Sequence, residues 1–186
     1  MSEHKPFLPK GDSCKEYTLF LDRDGVLNLP IVDDYARKPL DLILIDDLAN
    51  SLGTLFSKFK RVVLVTNQQG VGRKVMTDID LENVHLKMYN SLIESGVSWF
   101  DAAFYAPYLK TENHQWRKPN NGMLLKARDY FEDINWSKSI MVGDSPGDMQ
   151  LADSLGVSKV RILNPQFSFD NQDFTFDSIA DFVAAL

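Results

Sequence analysis

The sequence predicts an α/β domain, with a mostly parallel central sheet covered by helices on both faces. Short apolar runs that suit buried strands alternate with stretches of helical spacing along most of the chain, the pattern of a parallel sheet. Polar clusters at Asp22, Thr66, Lys118 and Asp144 follow those strands or open the next helix, so they can gather at one edge of the sheet, where open α/β sheets bind ligands. At 186 residues and 44% hydrophobic, the chain has the size and composition of one soluble globular domain.

Residues 1–15 are polar, contain Pro6, Pro9 and Gly11, and are expected as a flexible tail before a single domain at 16–186. The stretch lacks the apolar core of a signal peptide, and no run is long enough to span a bilayer. The one cysteine, Cys14, excludes an internal disulfide and permits a reducing compartment. A cytoplasmic protein with no membrane partner is the expectation. The net charge of −6 argues against a long polyanion, so no nucleic-acid partner is expected.

The first strand runs from Tyr17 to Leu21 and ends in Asp22-Arg23-Asp24-Gly25. Alone, Asp24-Gly25 also suits an ordinary turn. Leu27–Leu42, rich in Pro and Asp, reads as a loop. Leu48, Leu52, Leu55, Phe56 and Phe59 share one helical face, and Arg61–Val65 is a second buried strand ending in Thr66-Asn67-Gln68-Gln69-Gly70. Thr77 with Asp80 is a capping pair for a helix carrying Leu81, Val84, Met88 and Leu92, and Gly96 suits its stop. Phe100–Ala106 is a third strand, and Met123, Leu124, Ala127, Tyr130 and Phe131 mark the next helix. Ser139–Val142 is a fourth strand, leading into Gly143-Asp144-Ser145-Pro146-Gly147-Asp148 and a short helix. Val157–Leu163 is a fifth strand, Asn164–Thr175 a loop, and Ile179–Leu186 a final helix capped by Asp177 or Ser178.

The clusters carry a consistent chemistry. Buried carboxylates need protons or cations as partners. Asp22 and Asp24, two apart at a strand end, can point the same way, and Asp144 and Asp148 follow another strand end. Carboxylates without nearby His or Cys favour a hard cation, Mg²⁺ before Zn²⁺. Thr66-Asn67 offers a hydroxyl and backbone N–H groups to phosphate oxygens, and Lys118 supplies positive charge for phosphoryl transfer. Aspartate can itself be the nucleophile.

With these residues in this order, the chain resembles the haloacid dehalogenase (HAD) superfamily of phosphatases. Asp22-Arg23-Asp24-Gly25-Val26 is similar to its first motif, Thr66 to its second, Lys118 to its third and Gly143–Asp148 to its fourth. The resemblance implies a three-layer, Rossmann-like fold. Asp22 would be the nucleophile, Asp24 the acid and base, and Thr66 and Lys118 the stabilisers of the phosphoryl group. Asp22, the Asp24 carbonyl and Asp144 would hold Mg²⁺, with Asp148 supporting.

Thr66–Arg73 and Arg117–Met123 narrow the likeness to the capless branch that holds the heptose 1,7-bisphosphate and histidinol-phosphate phosphatases. That implies no large cap domain, with Arg23, Asn67, Gln68, Gln69, Arg117 and Ser145 meeting substrate; Arg73 reads equally as a second phosphate contact or a solvated loop residue. The branch commonly carries a zinc loop of three cysteines and a histidine, but the aligned positions here are Ala106, Tyr108, His114 and Trp116. One potential ligand builds no tetrahedral site, so no structural zinc is expected. His85 reads as a packed helix residue and His4 as an inert tail residue. His114 has a lesser claim to substrate contact. Trp99, Phe100 and Phe104 read as core, and Asp33, Asp34, Asp46 and Asp47 as solvated turn or helix-start charges.

The expected activity is Mg²⁺-dependent hydrolysis of a small phosphorylated metabolite, a sugar bisphosphate ahead of histidinol phosphate. A polynucleotide 3′-phosphatase is a second enzymatic reading, and a phosphate-binding module the non-enzymatic one. Nothing in the sequence specifies an oligomeric state.

Overall fold

A computed structural model describes residues 7–186; His4 and the start of the expected tail lie outside them. Six strands, β1 (Thr18–Leu21), β2 (Arg61–Asn67), β3 (Ala102–Ala106), β4 (Ser139–Gly143), β5 (Ser158–Ile162) and β6 (Phe174–Phe176), form one sheet in the order β3-β2-β1-β4-β5-β6. Every adjacent pair is parallel. The helices are α1 (Leu48–Lys58), α2 (Gln69–Gly72), α3 (Asp78–Glu94), α4 (Gly122–Tyr130), α5 (Pro146–Asp153) and α6 (Ile179–Ala184).

The two-residue period of the strands divides the core into two layers. Leu19, Leu21, Val62, Leu64, Ile140 and Val142 pack with Leu52 and Leu55 of α1, Val84, Met88 and Leu92 of α3, and Ile179 and Phe182 of α6. The intervening Phe20, Val63, Val65 and Met141 turn to the opposite face, against Met123, Leu124 and Ala127 of α4 and Leu151 and Ala152 of α5. Both sheet faces are thereby dry, which is why the strands read as continuous apolar runs. Each such side chain contributes about 1.5–3 kcal/mol by leaving water.

Local signals set the element ends. Thr77 Oγ1 accepts from the Asp80 amide at 3.1 Å while Asp80 Oδ2 accepts from the Thr77 amide at 2.8 Å, a reciprocal cap for α3. Gly96, at φ +77°, ends that helix in the left-handed region. Of the two expected caps for α6, Ser178 is the one used; its hydroxyl accepts from the Asp181 amide at 3.1 Å.

Three features depart from the sequence expectation. The tail does not extend to Lys15: Gly11–Glu16 is a 3₁₀ turn, Cys14 is buried in the first core layer, and the Gly11 amide donates to the Leu186 carbonyl at 2.8 Å. The loop expected over Asn164–Thr175 ends in β6, a three-residue edge strand too short to show periodicity. The one-turn helix α2 stands where the sequence suggested only a loop. Between β1 and α1, residues 22–47 fold back on themselves through Leu29 N–H to Ile43 O and Ile45 N–H to Leu27 O, at 2.9 and 3.1 Å. No cap domain stands there among the described residues.

Candidate active site

Because all strands are parallel, their carboxyl ends share one edge, and the strand order reverses between β1 and β4. Asp22 follows β1 and Asp144 follows β4, on either side of that switch point. Backbone geometry brings the two stretches close. Gly25 has φ +78°, and a Cβ built on it would lie 1.9 Å from Asp144 Oδ2, so only glycine fits. Gly143 is under the same pressure, its Cβ position lying 2.3 Å from the Asp148 side chain.

Lys118 ties the carboxylates together. Its Nζ lies 2.8 Å from Asp22 Oδ1 and 2.7 Å from Asp148 Oδ1, and donates to the Val65 carbonyl at 3.1 Å. Asp22 Oδ1 also accepts from the Arg23 amide at 2.7 Å. Asn67 fixes the lysine's backbone: Nδ2 donates to Lys118 O at 3.1 Å and Oδ1 accepts from Lys118 N at 3.0 Å. Asp148 Oδ2 accepts from the Ser145 amide at 3.0 Å and hydroxyl at 2.6 Å, which also caps α5.

A second network holds Asp24. Arg23 is 1% exposed, and its Nη2 donates to Asp24 Oδ1 and Oδ2 at 2.8 and 2.9 Å. Asn28 Nδ2 donates to Asp24 Oδ1, and Gln68 Nε2 to Asp24 Oδ2, both at 3.0 Å. Gln68 also donates to Thr66 Oγ1 at 2.9 Å. On the far side of Arg23, Nη1 lies 3.2 Å from His85 Nε2. Burial, with the arginine charge second, lowers His85 to about 4. The imidazole is therefore neutral and accepts from Arg23 Nη1.

The two networks set opposite electrostatics. Burial opposes charge on Asp24, but Arg23, Asn28 and Gln68 outweigh it and hold the carboxyl below its ordinary value. Burial pushes Asp22 up to about 7 despite the Lys118 ammonium, with Asp148 adding repulsion. Burial and the charges of Asp22 and Asp148 push Asp144 up to about 8, against the Asn164 Nδ2 donor at 2.6 Å from its Oδ2. Asp22, Asp144 and Asp148 each place an oxygen within 4.8 Å of the others. Three buried hard donors, two of them ionised only with difficulty, fit a small divalent cation such as Mg²⁺.

Asp22, Asp24, Asn67, Lys118, Asp144 and Ser145 line one cleft of about 200 Å³. A neighbouring cavity of about 510 Å³ shares Asn67, Lys118 and Ser145 and adds Arg117. Other expected site residues are placed differently. Arg23 and Gln68 are buried beneath Asp24 rather than open to substrate, because each satisfies a carboxylate that would otherwise be unpaired. Thr66 is 1% exposed under Gln68. Gln69 bridges loops, its Nε2 donating to Tyr35 Oη at 3.0 Å and its Oε1 accepting from Lys110 N at 2.8 Å. Arg73 stands 5.7 Å from the Tyr35 ring, and His114 stacks on Tyr108. Asp34, expected as a solvated charge, pairs with Arg37 at the cleft's edge. Sequence reasoning missed Asn28, His85 and Asn164. Asn164 had a usable signal, since it lies two residues past the carboxyl end of β5.

Comparison with known proteins agrees with this geometry. The family model described as polynucleotide kinase 3 phosphatase matches residues 20–182. The D-glycero-α-D-manno-heptose-1,7-bisphosphate 7-phosphatase of Mycobacterium tuberculosis is 31% identical over 175 residues, 92% of each chain. The D-glycero-β-D-manno-heptose-1,7-bisphosphate 7-phosphatase of Vibrio cholerae is 33% identical over 146 residues, 75% of this chain and 76% of that one. Among solved structures, the D,D-heptose 1,7-bisphosphate phosphatase of B. bronchiseptica, complexed with magnesium and phosphate, superposes with a TM-score of 0.82 at 26% identity. It covers 91% of this chain and 97% of its own. On this extent of match the chain belongs to the polynucleotide kinase 3 phosphatase family and is a phosphatase of the HAD superfamily.

Proposed function

We propose that the chain is a Mg²⁺-dependent phosphomonoesterase that works through an aspartyl-phosphate on Asp22 and acts on a heptose 1,7-bisphosphate. The observation that carries this is the Asp22–Lys118–Asp148 cluster beside Asp144, at the foot of a cleft walled by Asp24. Asp22, Asp144 and the Asp24 carbonyl would hold magnesium. When bound, the cation supplies charge neutralisation for the phosphoryl group.

The chain's own residues account for the rest. An Asp22 carboxylate oxygen attacks phosphorus, and the ester P–O bond breaks. The departing alkoxide takes a proton from Asp24, leaving phosphate on Asp22. Lys118 stabilises the transferring group's charge, while Thr66, expected to share that role, lies beneath Gln68 and holds the amide that donates to Asp24. Asp24 then accepts a proton from water, whose oxygen attacks phosphorus and frees Asp22. The Arg23-held carboxylate is already the base form. A phosphate dianion entering the cleft sets a like charge beside Asp24, raising its pKa and recruiting the proton the leaving group needs. Asn67 and Ser145 position Lys118 and Asp148, while Arg117 in the adjoining cavity meets the remainder of the substrate.

The loop at 106–117 needs no zinc in this reading. Tyr108 stacks on His114 with ring centroids 3.3 Å apart, and Arg117 Nη1 donates to Tyr108 O at 3.2 Å. Elemental analysis of purified protein should find zinc well below one per chain.

The family's name favours a second reading, a phosphatase of nucleic-acid 3′ ends. The net charge of −6 opposes it, because such binding rests on neutralised backbone phosphates. Phosphate release decides between them, measured with Mg²⁺ and with EDTA on heptose 1,7-bisphosphate, histidinol phosphate and a 3′-phosphorylated oligonucleotide. Preference for the heptose ester, abolished by EDTA, is expected. Preference for the oligonucleotide supports the second reading, and no turnover on any of them indicates a binding module.

A further inference from the structure

The loop after β5 takes no part in the four motifs, yet it walls the site. Phe167 is half-buried and lines both the catalytic cleft and the larger adjoining cavity. Among the described residues it is the only aromatic ring common to both, since Tyr35, with Pro30, Ile31 and Ala36, lines the cleft alone. Its placement is enforced from beneath. Arg161, 8% exposed at the end of β5, donates through Nη2 to the Phe167 carbonyl and through Nη1 to the Phe169 carbonyl, each at 2.7 Å. Its guanidinium carbon sits 4.1 Å from the Phe169 ring centroid. The start of the loop is pinned too: the Phe167 amide donates to Asn164 O at 3.1 Å, and Asn164 Nδ2 reaches Asp144. A buried arginine that satisfies two loop carbonyls is costly to assemble unless the loop's shape matters.

Resting on the phosphatase reading above, we propose that Phe167 is a specificity-determining residue. Its ring is the wall against which the C–H face of a polyhydroxylated alcohol, the part of the ester beyond the phosphate, packs. Arg161 is a positioning residue for that wall. The chemistry fits a sugar, whose hydroxyls meet the polar cavity while its apolar face needs an aromatic surface. An alcohol of one or two carbons offers the ring far less C–H surface than a seven-carbon sugar that extends from the cleft into the adjoining cavity.

The test compares kcat/KM on heptose 1,7-bisphosphate and on ethyl phosphate, two alkyl esters that differ in reach. Phe167→Ala should lower the heptose value about tenfold and change the ethyl phosphate value less than about twofold. Phe167→Tyr should keep both. Arg161→Lys, with a single ammonium in place of a fork that spans two carbonyls, should reproduce the ester-selective loss. Equal losses on both esters, or no loss on the heptose ester, overturn the proposal while leaving the phosphatase reading intact. A wild-type protein inert on both esters overturns the two together.

Discussion

Magnesium binding should release protons at neutral pH, in a number the acidic cluster sets. Asp22 is pushed up to about 7 and Asp144 to about 8, so near neutral pH the metal-free pair retains protons that ordinary carboxyls would have lost. A cation requires both ionised. Both upward shifts point to net release on the order of one proton per cation at pH 7, falling toward zero as the pH rises past both values. Because the groups interact, the total is the observable, not its division between them. Calorimetric titration with Mg²⁺ in buffers of different ionisation enthalpy reads it as the slope of observed heat against buffer heat. A slope near zero at pH 7 would refute the electrostatic account. The same shifts bear on stability. Both folded pKa values lie above the ordinary carboxylate value, so between about 4 and about 8 the folded state binds more protons than the unfolded one and loses stability as pH rises. Added Mg²⁺ should therefore raise the melting temperature more at pH 8 than at pH 5.

Three further outcomes are expected. Lys118→Met strands the Asp22 and Asp148 carboxylates in the interior and should cost about 3–5 kcal/mol in urea unfolding, together with all activity; an unchanged midpoint would show that the pair is not buried as described. Gly25→Ala forces a Cβ into Asp144 at a left-handed position, so Mg²⁺ affinity by calorimetry should fall more than about tenfold. Asp24→Asn removes the proton donor and should slow alkyl esters by about 10²–10⁴ while slowing an aryl ester, whose leaving group needs no proton, far less; equal slowing would reassign Asp24.

The sheet and its motif-bearing edge were legible because both rest on short-range pattern. Strands buried on two faces read as unbroken apolar runs, as at Val62–Val65, and Thr77 with Asp80 announces α3 without tertiary help. Asp22, Asp24 and Asp144 stood out because carboxylates just past buried strands have few structural uses, and Lys118, in the turn before α4, because it adds a cation beside an Arg and a Pro at a helix start. What sequence could not convey was which polar residues pair with each other. Arg23 and Gln68 sit inside the first two motifs and read as substrate contacts, whereas the structure spends both on Asp24. His85, on a mid-chain helix with Val84 and Met88 facing the core, reads as filler until the fold brings it to Arg23 across 62 positions. Cys14 read as tail because what holds its turn is distant in sequence: the turn packs on α1, and the Gly11 amide meets the Leu186 carbonyl. The strap from Arg161 to Phe167 is a contact to backbone carbonyls, which no side-chain pattern records.

The most direct test of the account is to look for phosphate on Asp22. Enzyme mixed with heptose 1,7-bisphosphate and Mg²⁺ is quenched in acid within the first turnover, reduced with borohydride, digested and analysed by mass spectrometry. The account predicts homoserine in place of Asp22 in the peptide spanning β1, only when substrate and Mg²⁺ are both present, and in no other acidic peptide. Steady turnover with no modified Asp22 at any quench time would contradict it and point to direct attack by water.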